Sequence, residues 1–151
     1  MVTFSIQTPL LTLCVLAQLC CFALAHAQSP NISGIWNIEI SFDAGGQHSL
    51  RFDAQADGKG TFALMDPNAK AWGATNSSDA KWTRGSGNSL TFAGPIEFAV
   101  GNVGRDPGML TLNGKFENPD SITGVVEFSP SVGERASKHG TFKAVRAAGG
   151  K

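Results

Sequence analysis

Between residues 34 and 146, most large apolar side chains fall on even-numbered positions, and the phase survives one turn after another. A period of two is the signature of a strand with one buried face, because successive side chains point to opposite sides of a sheet. Trp36, Ile38, Ile40 and Phe42 alternate with Asn37, Glu39 and Ser41. Leu50, Phe52, Ala54 and Ala56 alternate with Arg51, Asp53 and Gln55. Phe62 and Leu64 follow, then short segments around Trp72 and Trp82. Leu90 and Phe92 stay in phase with Ile96, Phe98 and Val100, across a Gly94-Pro95 step that reads as a tight turn or as a kink in one strand. Leu110, Leu112 and Phe116, then Ile122, Val126 and Phe128, then Phe142 and Ala144 complete the set.

Short turn sequences separate these runs: Asp43-Ala44-Gly45-Gly46, Asp57-Gly58, Asp66-Pro67-Asn68 and Asn118-Pro119-Asp120. Residues 101–108, Gly-Asn-Val-Gly-Arg-Asp-Pro-Gly, read as an irregular loop with Arg105 and Asp106 as a surface pair. The polar stretch 129–139 holds the one candidate helical turn. Strands joined by short turns pair with their sequence neighbours. The expected fold is all-β: an antiparallel up-and-down barrel of about eight strands, with a two-sheet sandwich as the alternative. No repeat beyond the hairpin rhythm and no second domain is evident.

Residues 1–27 read as a secretory signal peptide, leaving a single domain over 28–151. Leu10 to Leu24 is an apolar run of about 15 residues, interrupted by Gln18 and short of the about 20 a membrane span needs. Ala25-His26-Ala27 supplies small residues at −3 and −1 for cleavage before Gln28. The segment 1–9 lacks Lys and Arg, which departs from the usual pattern, and lipidation at Cys20 or Cys21 is a further option. Cleavage removes all three cysteines, so the exported domain would have no disulfide and no thiol chemistry. The expected location is secreted or periplasmic. The 12 basic and 12 acidic residues all follow residue 27, balance to zero and form no blocks. That balance argues against nucleic acid and against an anionic membrane surface as main partners.

The two ends carry the most specific signal. Gly34-Ile35-Trp36 opens the first strand, and Gly140-Thr141-Phe142-Lys143-Ala144-Val145-Arg146 forms the last. With these residues the chain resembles the calycin group: lipocalins, fatty-acid-binding proteins, avidins and the small bacterial protease-inhibitor barrels. The resemblance implies that Gly34, Trp36 and Arg146 form a structural latch, the guanidinium lying over the indole at one end of the barrel. It is similar also to exported bacterial proteins with the same opening and closing segments, a likeness that implies no function. Avidins grip biotin with a Tyr and several Trp residues; this chain has no Tyr, so biotin binding is not carried over. The inhibitor barrels use a disulfide, which the exported domain cannot form, and an N-terminal arm, for which Gln28-Ser29-Pro30-Asn31 would be the counterpart.

No catalytic motif stands out. His48 and His139 are the two histidines outside the leader, and Ser49, adjacent to His48, points to the opposite face of a strand. No spacing suits a metal, and no cofactor is expected. Trp72, Trp82, Arg84 and Arg105 are the candidate ligand- or partner-binding residues. Exposed Trp residues in polar surroundings bind sugars or proteins, but even positions place both in phase with the core. Asn31-Ile32-Ser33 and Asn76-Ser77-Ser78 are sequons. Eight Phe residues beyond the leader would nearly fill a small barrel, so a large lipid cavity is not expected. The leading expectation is an exported non-enzymatic barrel that binds a small apolar ligand or a protein. The alternatives are a protease-inhibitor-like interaction protein and a barrel-type cyclase or isomerase, which would need an inward polar group such as His48, Arg51 or Glu97.

Overall fold

The computed structural model describes residues 29–67, 77–101 and 104–148. Eight strands close into an antiparallel up-and-down barrel in sequence order, β8 returning to β1. They are β1 (Gly34–Phe42), β2 (Gln47–Ala54), β3 (Lys59–Leu64), β4 (Ser78–Arg84), β5 (Ser89–Val100), β6 (Gly104–Asn118), β7 (Ser121–Pro130) and β8 (Lys138–Arg146). Directly paired residues face the same side of a sheet. Here even positions pair with even: Trp36 with Phe52, Phe52 with Phe62, Phe92 with Leu112, Ile122 with Ala144. The inward phase therefore passes around the closed wall, with one register shift between Phe116 and Asn118 near the β6–β7 turn. The Asp57-Gly58 turn depends on Gly58, whose φ of 83° suits glycine.

The interior is filled. Phe52 contacts Phe62 and Phe92 at ring separations of 5.2 and 4.8 Å, and Phe98 contacts Phe42 and Phe128 at 6.0 and 4.9 Å. Ile38, Leu50, Leu110 and Leu112 complete the packing, all buried. Outward positions carry Glu39, Arg51, Asp53 and Lys143, all exposed. Apolar inside and polar outside is the reverse of a barrel that faces lipid.

Two expectations need correction, and one open choice is decided. Residues 101–108 are not one irregular loop: β6 starts at Gly104, and residues 104–108 pair with β5 residues 96–100. The ladder that β5 offers outweighs the Gly and Pro composition. The stretch 129–139 holds no helical turn: β7 runs to Pro130, β8 begins at Lys138, and bends join them. Of the two readings of Gly94-Pro95, the one long strand holds: both residues lie within β5. The strand expected around Trp72, and the sequon residue Asn76, lie outside the described residues.

Candidate functional site: a notch in the barrel wall

One end of the barrel is sealed by the latch. Trp36 is wholly buried, its Nε1 donating to the Ile32 carbonyl at 2.7 Å, and Ile32 is buried beside it. The Arg146 guanidinium lies 4.4 Å from the Trp36 ring centre. Arg146 also donates to the carbonyls of Asn31, Ser33 and Pro119 and to the Asp120 carboxylate. Two candidate binding residues sit at this same end. Arg84 donates to the Pro30 carbonyl and lies over Phe116. Trp82 is half-buried against the core, with Nε1 donating to the Gln55 carbonyl. Their bonding partners are the chain's own backbone, as in the latch beside them. Trp72 lies outside the described residues.

The other end is closed as well, by polar groups over aromatic rings. His48 points inward and stacks on Phe98 at 4.1 Å. Its Nδ1 lies 2.6 Å from Asp66 Oδ2, while Asp66 Oδ1 accepts from the Ser49 backbone N–H. A carboxylate only accepts, so Nδ1 carries the proton and the ring is held in one tautomer. Ser49 Oγ donates to Glu39 on the outer face, away from that ring.

Asp106 does not pair with Arg105 on the surface. It is 1% exposed and binds Arg135 Nη2 at 2.6 Å and Lys138 Nζ at 3.1 Å. Lys138 in turn lies over Phe128. Burial alone would raise the Asp106 pKa, but the bonds from Arg135 and Lys138, with their charges, outweigh it and hold the carboxyl below its ordinary value. Sequence reasoning missed this cluster. The even number of Asp106 was the one available signal, since its partners lie 29 and 32 residues away.

Among the described residues, two depressions lie in the side wall; one, of about 510 Å³, borders Gly60, Ala80, Gly94 and Met109, and the other lies further along β5. Strand β4 pairs with β5 only from Lys81 to Arg84, opposite Ala93 to Leu90. Ala80 of β4 still lies against Gly94, and past it, toward the end away from the latch, the two strands pair no further among the described residues. A depression of about 420 Å³ lies there. Its floor includes Phe62, Leu64 and Ile96; its rim includes Glu97, Arg105 and Met109. Arg105 Nη1 reaches Glu97 Oε2 at 3.2 Å across the rim. Met109 is 48% exposed. Of the candidate binding residues described, Arg105 alone borders this notch. The structure brings none of Trp82, Arg84 and Arg105 together with all the others: the first two face the latch end.

Among the described residues, no group of His, Cys, Asp and Glu is placed to hold a metal ion. His48 supplies the inward polar group that barrel-type catalysis requires, whereas Arg51 and Glu97 point outward and are exposed. No family model and no curated protein matches the chain. Among solved structures it is similar to a redesigned β-barrel, with 10% identity over 76% of this chain and 90% of that one, at a TM-score of 0.42.

Proposed function

We propose that this chain is an exported, calycin-like, non-enzymatic binding barrel that holds a protein partner at the notch beside β5. One observation carries it: among the described residues the barrel is packed through its centre, polar groups lie over both ends, and the depressions are in the wall. Buried-ligand sites enclose most of their ligand. A half-open depression with an apolar floor and an ion pair at its rim suits a few side chains of a protein instead. The latch supports the calycin-like part of the reading, and the neutral, patch-free charge supports a partner other than nucleic acid.

Site-specific photocrosslinking in the natural secretory environment tests this. A photoreactive residue at Met109 is expected to capture a discrete partner, while one at Asp53, on the opposite wall, captures none. Equal capture at both sites, or none at Met109, overturns the proposal.

A further inference from the structure

We infer that the loop joining β7 to β8, residues 131–137, is a hinged flap over the end of the barrel away from the latch, strapped down by the Asp106 carboxylate. The inference stands apart from the docking proposal, although Ser131 and Pro107 both border the notch.

Nothing apolar holds the loop. Residues 131–136 are exposed, and Val132, its large apolar side chain, is 61% exposed. A segment without buried apolar contacts sits at the low end of local stability. Its fastenings are polar. Ser131 N and Ser131 Oγ both donate to the Pro107 carbonyl, at 2.8 and 2.9 Å. Arg135 Nη2 donates to Asp106 Oδ1 at 2.6 Å. These bonds land on two consecutive residues of β6, so one short stretch of that strand holds the whole loop. At the base, where β7 and β8 part, the Ser129 and Ser137 hydroxyls lie 2.9 Å apart. Arg135 Nε and Nη2 also donate to the Val132 carbonyl, which folds the loop on itself. It can therefore move as one piece about its base.

Asp106 is the fixed half of the strap. It pairs directly with Phe98 of β5 and is 1% exposed. Despite that burial, the bonds from Arg135 and Lys138 hold its carboxyl below the ordinary value, so it is charged at neutral pH. Lys138 belongs to β8 and stays behind when the flap lifts. Asp106 then keeps one cationic partner, which avoids the large penalty of a stranded buried charge. Arg135 is the movable half: its side chain is 49% exposed already, and release returns it to water. Residues 131–137 take part in no strand pair of β7 or β8, so lifting them breaks no ladder. What opening bares is the Asp106 carboxylate beside Phe98, at the end where His48 stacks on that ring. The flap thus controls access to the aromatic end of the barrel.

Native-state amide exchange on the full chain, read by NMR in urea below the unfolding transition, tests this. The Ser131 amide is expected to be protected, but at least about tenfold less than the Phe142 and Ala144 amides of β8. It should also respond little to urea, because lifting a polar loop exposes little surface. A Ser131 amide with no protection overturns the inference, since the loop is then never strapped. Protection and urea response equal to those of Phe142 and Ala144 overturn it too, since the loop then leaves only when the barrel unfolds. Arg135→Gln removes the charge from the movable half and leaves Asp106 its Lys138 bond. It is expected to speed Ser131 exchange about tenfold more than it speeds Phe142 and Ala144. An equal change at all three amides, or none, overturns the strap. Trypsin gives a second reading, because Arg135 cannot enter a protease pocket while it is bound to Asp106. Asp106→Asn is expected to speed cleavage of the Arg135–Ala136 bond at least about tenfold relative to the Lys59–Gly60 bond in β3. An unchanged ratio of the two cleavages overturns the inference.

Discussion

Arg146 shows how much one side chain can hold. It covers the Trp36 ring, bridges the N-terminal approach to the β6–β7 turn, and supplies donors to three carbonyls. Arg146→Ala removes the cation–π contact and leaves those oxygens without their donor, at a cost of about 2–4 kcal/mol. Lys lacks the planar fork, so Arg146→Lys should recover only part of the loss. Urea midpoints of the three proteins measure this. Asp106 governs the acid behaviour of the other end. Its carboxyl is held below the ordinary value of 3.8, so it favours the folded state above that value. That stability is lost as pH falls through the folded-state pKa. Melting temperature should therefore drop on acidification below about pH 4, and Asp106→Asn should flatten that part of the profile while lowering stability at neutral pH. An unchanged acid limb in the variant would show that other carboxyl groups control it.

At the scale of elements, the strands were legible because one parity of hydrophobic residues runs through every hairpin. The start of β6 was not. Gly104, Pro107 and Gly108 spell a loop locally, but β5 supplies a ladder there, and Pro107 turns its missing N–H away from it. The candidate site was legible only at Arg105. Nothing local marks where the β4–β5 pairing stops, and the notch lies past that point. Trp82 and Arg84 looked functional because they sit among polar residues, yet they cap the latch end through distant carbonyls at Gln55 and Pro30. Closure also sets tight limits on glycine. A Cβ at Gly140 would collide with the β1 backbone at Ser41 and Phe42, which cannot yield as a side chain can. Gly140→Ala should cost about 2–3 kcal/mol or prevent closure, as thermal unfolding would report. A neutral result would mean that β8 can move away from β1.

For the whole molecule, the packed interior favours the proposed binding at the side of the barrel over binding within it. Among the described residues, the Phe-rich interior is tightly packed, and polar groups lie over aromatic rings at both ends. The side wall, among the same residues, carries a depression rimmed by Glu97, Arg105 and Met109 over the nearly buried Phe62, Leu64 and Ile96. Native mass spectrometry of the protein purified from its own source tests this most directly, comparing the natural chain with Arg105→Glu/Met109→Glu at the rim. The prediction is a bound protein or peptide mass on the natural chain that is absent from the double variant. A small molecule retained equally by both would contradict it, because that ligand would have to lie within the barrel.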